Sequence, residues 1–156
     1  VRKLFVRESK DFLQKYFKKE LFFTDVEGKT KEEVLKNLCR KVEQEKRLPE
    51  TFTASVLKRE ELTPTDYGNL VALPHPERAF QERAFVAVAV LKEPIFWFRQ
   101  KVQVVFLTAI GREEDENLQQ FYEATTDLIL RPADVQNLIR HPDYDRLIQL
   151  LRRAEE

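Results

Sequence analysis

Residues 84–91 have the sequence AFVAVAVL, and residues 102–110 have the sequence VQVVFLTAI. Both stretches are rich in valine and alanine, and neither shows the alternation of polar and apolar residues that is typical of a half-exposed strand. A continuous apolar pattern favours a strand that is covered on both faces. We therefore predict two buried strands in a sheet that carries helices on each side.

Strand and helix patterns alternate along the rest of the chain. Shorter strands are predicted over residues 21–24 and 69–73, and residues 94–101 form a predicted aromatic connection between the two long strands. Thr30 to Glu33 has the pattern of a helix capping box, and apolar residues follow at spacings of three and four. Helices are predicted on such patterns over residues 31–45, 49–61, 116–130, 132–140 and 143–153. The interleaving predicts an α/β fold with a central mixed β-sheet flanked by helices on both faces.

The first twenty residues carry seven basic and three acidic side chains. Their apolar residues recur at spacings of three and four, which predicts an amphipathic helix. We divide the chain into an N-terminal helix or linker tail over residues 1–20 and a domain over residues 21–156. The chain begins with Val1 and contains no methionine, so we expect it to be an excised piece of a longer protein.

The composition excludes several classes of protein. A length of 156 residues matches one domain. Lys and Arg together number 27, as do Asp and Glu, so the broad positive field of a nucleic-acid-binding protein is missing. The apolar stretches are shorter than the roughly 20 residues that a membrane-spanning helix needs. With Cys39 as the only cysteine and no signal segment, we expect a cytoplasmic domain without membrane insertion or direct contact with nucleic acid.

The sequence offers few groups for catalysis. The glycines, Gly28, Gly68 and Gly111, lie too far apart for a phosphate-binding loop. Two histidines and one cysteine do not provide the spacing of a metal site, and neither Ser9 nor Ser55 lies in a nucleophile-elbow pattern. We therefore expect no metal and no cofactor.

One histidine has an unusual setting. His75 follows a predicted strand and lies between Pro74 and Pro76. Because proline restricts its own backbone and that of the preceding residue, this imidazole has a stiff mount, which suits a reactive group. A surface or capping role for the same histidine stays open on this pattern alone. His141, which also precedes a proline, is interpreted as a structural residue between two helices.

Two segments before and around this histidine form a distinctive combination. Residues 55–65, SVLKREELTPT, end a helix in Arg-Glu before a Thr-Pro-Thr loop, and residues 68–75, GNLVALPH, end in an Ala-x-Pro-His step. The combination resembles the fructose/mannitol-type enzyme IIA domain of the bacterial phosphotransferase system, over about residues 21–151. With residues 93–97, EPIFW, it is most similar to the enzyme IIA-like domain at the C-terminus of BglG/LicR-type transcriptional regulators, which are antiterminators.

The resemblance implies which residues form the site. The family's phosphate-accepting histidine corresponds to His75, and the arginine that stabilises the phosphoryl group corresponds to Arg59. Asn117 occupies the place of a second active-site histidine. Pro76 and Asn69 stand where transport domains often carry glycine and glutamate. These differences count against efficient onward transfer of phosphate.

The resemblance also implies a role, for which three alternatives stay open. The first is a regulatory phosphoacceptor that exchanges phosphate with the histidine phosphocarrier or an enzyme IIB and controls a transcriptional regulator, whose other domains lie upstream in the same chain. The second is a working enzyme IIA that relays phosphate to an enzyme IIB during sugar uptake. The third is a docking module that kept the fold without being phosphorylated. Phe80, Phe96 and Trp97 are candidates for an apolar rim that docks the partner, and a place in the core stays the alternative for each.

Overall fold

Strands β4 (Phe85–Phe96) and β5 (Lys101–Ala109) pair antiparallel at the centre of the sheet. The computed structural model describes residues 12–113 and 115–155. The other strands are β1 (Phe17–Phe23), β2 (Asp66–Gly68) and β3 (Val71–Ala72). Strand β1 pairs parallel with β4, β3 pairs parallel with β5, and β2 pairs antiparallel with β3. The order across this five-stranded sheet is β1-β4-β5-β3-β2, and the predicted mixed sheet is confirmed.

Helices cover both faces of the sheet, as predicted. They are α1 (Lys31–Lys46), α2 (Thr51–Leu62), α3 (Leu118–Ile129), α4 (Pro132–Arg140) and α5 (Tyr144–Glu155). Val86, Val88 and Val90 of β4 pack in one apolar cluster with α3, α4 and α5. Ala87 and Ala89 pack in a second cluster with α1 and α2. Since both sets of side chains are buried, the strand has no polar face, which explains its continuous apolar sequence.

Strand β4 continues to Phe96, beyond the predicted end at Leu91, because it bulges. Its pairing with β5 shifts register within this extension. The buried side-chain amide of Gln103 donates to the carbonyl oxygen of Leu91 at 2.9 Å, which satisfies a backbone group in the bulge. The predicted connection over residues 94–101 is therefore too long, and the chain turns over residues 97–100.

Strand β1 begins at Phe17, before the predicted start at Leu21. Residues 12–16 are helical, and the rest of the predicted N-terminal helix, residues 1–11, lies outside the described residues. Phe17 and Leu21 are both buried, and their spacing of four residues fits a helix as well as this irregular strand. Residues 17–20 form a strand because they lie in the segment that pairs parallel with β4. The helical prediction for residues 17–20 is therefore wrong.

The predicted strand over residues 69–73 is interrupted by a turn. Asn69 and Leu70 have φ angles of 52° and 69°, in the left-handed region, and they connect β2 to β3. Two consecutive left-handed residues match the hairpin turn that follows the natural twist of paired strands. The side-chain amide of Asn69 also donates to the carbonyl oxygen of Ile129 at 2.6 Å, which ties this turn to the end of α3.

Helix α1 begins as its sequence predicts. The hydroxyl of Thr30 accepts a hydrogen bond from the backbone N–H of Glu33 at 3.2 Å, and the Glu33 carboxylate accepts from the N–H of Lys29 at 3.0 Å. Cys39 is buried in the core, and burial raises the pKa of its thiol. Within the described residues, no helix combines the length and hydrophobicity needed to span a membrane.

Candidate functional site

His75 lies at the edge of the sheet where β3 and β5 both end. Strand β3 pairs parallel with β5, and β5 pairs antiparallel with β4. The last residues of β3 and β5 therefore lie at the same end of the sheet as Phe85, where β4 begins. The backbone N–H of Thr108 donates to the carbonyl oxygen of Pro74 at 3.0 Å. The imidazole of His75 is thereby held against the end of a central strand.

Two further hydrogen bonds fix the acceptor loop, residues 73–77. The N–H of Leu73 donates to the carbonyl oxygen of Thr65 at 3.0 Å. The N–H of Glu77 donates to the hydroxyl of Ser55 on α2 at 2.7 Å. The loop is therefore attached to β5, to α2 and to the segment that follows α2, which extends the stiffness predicted from the prolines on each side of the histidine.

The tautomer of His75 follows from its own contact. Its Nδ1 lies 3.3 Å from the carbonyl oxygen of Leu73. A carbonyl oxygen only accepts hydrogen bonds, so in the neutral ring this contact places the proton on Nδ1 and leaves the lone pair on Nε2. The half-buried imidazole thus has one nitrogen that is held by the loop and one that is available as a nucleophile.

A cavity of about 220 Å³ lies beside this imidazole, between the end of β5 and α3. Its lining consists of Leu73, His75, Thr108, Ile110, Phe121, Tyr122, Thr125 and Thr126. Ile110 is 46% exposed and Tyr122 is 39% exposed, so the mouth of the cavity is apolar. Partial burial raises the pKa of the Tyr122 phenol. The sequence did not predict the lining residues that come from α3, because only the packing of this helix shows which of its side chains face the histidine.

Arg59 lies in the last turn of α2, on the same helix as Ser55. Its guanidinium Nη1 donates to the carbonyl oxygen of Thr63 at 2.9 Å. In the described part of the chain this arginine forms no salt bridge. Ser55 and Arg59, four residues apart, share one side of the helix, and Ser55 contacts the acceptor loop.

Asn117 precedes α3 as its N-terminal capping position. Its side chain makes no capping hydrogen bond, and its backbone N–H donates to the Asp115 carboxylate at 3.0 Å. The residue lies one helical turn before Phe121, which lines the cavity, and Asn117 itself is not part of the lining. Residues of α3 further along the helix line the cavity beside His75, and a role for Asn117 in the transfer stays a prediction.

The predicted aromatic rim is wrong in two of its three members. Phe96 ends β4 at the edge of the sheet opposite His75, where it is 64% exposed. Trp97 is buried, and its indole N–H donates to the Glu60 carboxylate at 3.1 Å. Phe80 is half-buried and packs edge-on against Phe52, with ring centroids 5.5 Å apart. The exposed apolar residues next to His75 are instead Ile110 and Tyr122, at the mouth of the cavity.

His141 caps the end of α4 and is exposed. It takes no part in lining the cavity beside His75. Across residues 12–113 and 115–155, no group of three or more His, Cys, Asp or Glu side chains is arranged to hold a metal ion.

Comparison with known proteins identifies the family. Residues 15–154 match the family model described as "Phosphoenolpyruvate-dependent sugar phosphotransferase system, EIIA 2". The chain belongs to this EIIA 2 family. The fold agrees: a chain in the Escherichia coli complex of enzyme IIAMTL and phosphorylated enzyme IIBMTL superposes with a TM-score of 0.70 at 19% identity, over 86% of this chain and 97% of that chain.

Among curated proteins of Bacillus subtilis (strain 168), two regulators resemble this EIIA 2 domain. The probable licABCH operon regulator is 36% identical over 140 residues, which are 90% of this chain and 22% of the regulator. The transcriptional regulator ManR is 27% identical over 120 residues, which are 77% of this chain and 18% of the regulator. The chain thus spans about a fifth of the length of these relatives.

Proposed function

We propose that this EIIA 2 domain is a phosphoacceptor that takes a phosphoryl group on Nε2 of His75. The observation that carries the proposal is the contact of Nδ1 with the carbonyl oxygen of Leu73, because it leaves Nε2 unprotonated on an imidazole that is held in place. Histidine is suited to this role, since its neutral ring is nucleophilic near physiological pH.

When the histidine phosphocarrier is the donor, the transfer uses two imidazoles and the charges around them. As the bond between Nε2 of His75 and phosphorus forms, the bond between phosphorus and the donor's imidazole nitrogen breaks, and that nitrogen keeps the electron pair. When an enzyme IIB is the donor, the bond between phosphorus and its cysteine sulfur breaks instead, and the sulfur keeps the electron pair. The transition state places negative charge on three phosphoryl oxygens, so the protein acts mainly by positioning and by neutralising charge. Arg59 is the proposed source of positive charge, because its guanidinium can donate two hydrogen bonds to phosphoryl oxygens.

We infer that the domain serves regulation more than transport. Its similarity to two Bacillus subtilis regulators, each much longer than this chain, supports a place within a transcriptional regulator or antiterminator. The proposed donors are the histidine phosphocarrier and an enzyme IIB. A solved relative in complex with phosphorylated enzyme IIBMTL supports the second of these. The alternative is a working enzyme IIA that passes its phosphate on to an enzyme IIB for uptake of a fructose- or mannitol-class sugar.

One labelling experiment tests the acceptor and separates the two roles. The protein is incubated with labelled phosphoenolpyruvate, enzyme I and the phosphocarrier, and acid-labile phosphate on the protein is measured over time. We expect one phosphoryl group per chain. An unphosphorylated enzyme IIB is then added: persistence of the label supports the regulatory acceptor, and rapid loss of the label to the enzyme IIB cysteine supports the relay. No label from either the phosphocarrier or a phosphorylated enzyme IIB would reject the acceptor.

Asn117→His should speed phosphorylation, and more at pH 6 than at pH 8. A protonated imidazole within about 8 Å of the phosphoryl oxygens contributes roughly 0.5–2 kcal/mol at effective dielectric constants between about 80 and 20, which is a two- to thirtyfold change in rate. The pH dependence follows because an added histidine is charged mainly below its ordinary pKa of about 6.5. Initial labelling rates of both proteins at the two pH values check this. Asn117→Gln, which adds length but no charge, is the control, and equal rates for all three proteins would contradict the prediction.

A further inference from the structure

Glu60, next to Arg59 on α2, is a buried carboxylate to which the proposed transfer assigns no role. Its side chain is 3% exposed. One oxygen accepts hydrogen bonds from the backbone N–H of Thr65 at 2.7 Å and from the indole N–H of Trp97 at 3.1 Å. The other oxygen accepts from the hydroxyl of Thr65 at 2.6 Å, and the ammonium of Lys31 lies 3.9 Å from the first oxygen. A buried carboxylate with this set of donors is held firmly in one orientation.

The residue that Glu60 holds is directly connected to the acceptor. Thr65 is fixed at its N–H and its hydroxyl, and its carbonyl oxygen accepts the N–H of Leu73 at 3.0 Å. The carbonyl oxygen of Leu73 in turn contacts Nδ1 of His75 at 3.3 Å. A continuous series of hydrogen bonds therefore runs from Trp97 through Glu60, Thr65 and Leu73 to the imidazole.

We propose that Glu60 is a positioning residue for phosphoryl transfer: by holding Thr65 it orients the Leu73 carbonyl that keeps the proton of His75 on Nδ1 and leaves Nε2 free. The inference rests on the proposed function, which it deepens. Glu60 itself lies in the core and acts only through the loop. This assignment also accounts for the buried position of Trp97, whose indole N–H holds the carboxylate from the turn between β4 and β5.

The chain offers a matched control in Glu43. Its carboxylate accepts hydrogen bonds from the N–H of Thr53 at 3.0 Å and from the hydroxyl of Thr53 at 2.6 Å. These are the same two kinds of donor that Thr65 presents to Glu60. Thr53 lies in the first turn of α2, and no hydrogen bond among the described residues joins it to the acceptor loop. Glu43→Ala should therefore lower the free energy of unfolding through the same kinds of lost hydrogen bond as Glu60→Ala, without changing the environment of His75.

Two readouts test the proposal. The ¹⁵N chemical shifts of the His75 imidazole report which ring nitrogen is protonated, and the labelling rate at saturating phosphocarrier reports transfer. We expect Glu60→Ala to mix the two tautomers and to lower that rate roughly tenfold, because misplacing a reacting group by about 1 Å can cost as much as 100-fold. The KM for the phosphocarrier should stay the same, since Glu60 is buried. Glu60→Gln should restore most of the rate, because its amide oxygen can still accept from Thr65 and Trp97 while its amide nitrogen donates to the Thr65 hydroxyl.

Either readout can overturn the inference. If Glu60→Ala keeps the wild-type imidazole shifts and rate, or if Glu43→Ala disturbs both to the same extent, Glu60 has only a structural role. Should Glu60→Ala fail to fold, Thr65→Val takes its place, because it removes one bond to Glu60 and keeps the backbone bond. The imidazole shifts need no phosphoryl donor. Failure of the wild-type protein to accept phosphate would thus reject the proposed function, whereas unchanged shifts would reject the role of Glu60.

Discussion

His75→Ala should abolish phosphorylation of this domain, whereas His141→Ala should leave it at the wild-type level. The expected loss is complete, since the substitution removes the nucleophile and the other histidine of the chain, His141, does not line the cavity beside His75. His75 is half-buried at the edge of the sheet with Nε2 free, whereas His141 is exposed at the end of α4 and lies outside the cavity beside His75. Acid-labile phosphate, measured after incubation with phosphoenolpyruvate, enzyme I and the phosphocarrier, checks the prediction.

The two variants control for each other. Both remove one imidazole, and neither position contributes to the apolar clusters of the core, so both proteins should keep the wild-type circular dichroism spectrum and unfolding temperature. Label on the His75→Ala protein that disappears in the double variant would move the acceptor to His141. Label that survives in the double variant would mean that phosphate is carried by a group other than histidine.

Arg59→Ala should slow the transfer by about ten- to a hundredfold. The estimate takes a hydrogen bond to a charged group as worth about 1.5–3 kcal/mol, with each 1.4 kcal/mol equal to a factor of ten in rate. Among the residues that the structure describes, the Arg59 guanidinium donates only to the Thr63 carbonyl oxygen, so it can turn to a phosphoryl group without breaking an ion pair there. The measurement is the initial labelling rate at saturating phosphocarrier.

Lys58→Ala is the matched control for Arg59. Lys58 is an exposed cation one residue earlier on the same helix, and its removal should leave the rate at saturating donor unchanged. Arg59→Lys should recover only part of the rate, because an ammonium keeps the charge and lacks the planar pair of donors. A wild-type rate in Arg59→Ala would assign charge neutralisation to another group. An equal loss of labelling rate in Lys58→Ala would mean that the overall positive charge of this surface, and not the Arg59 guanidinium in particular, speeds the transfer.

Much of the fold could be predicted because local patterns and tertiary packing agree. The capping box at Thr30 begins α1, and Pro132 begins α4 at the predicted residue. The two valine-rich stretches form the central strands that their sequence indicates. Errors occur where long-range pairing overrides local spacing. Phe17 joins β1 although its spacing with Leu21 also fits a helix, and β4 continues through a bulge that Gln103 supports from another strand.

In the candidate site, too, some features follow from local sequence and others only from tertiary packing. The sequence by itself determined the acceptor candidate, because the prolines around His75 and the Arg-Glu and Thr-Pro-Thr steps before it are properties of neighbouring residues. Only the tertiary structure decided the tautomer of the imidazole, the cavity that Tyr122 lines, and the buried position of Trp97 against Glu60. Those features depend on contacts between residues that are far apart in the chain. Local sequence restricts the backbone of a loop, but the packing of α2, α3 and β5 around it determines which side chains face the histidine.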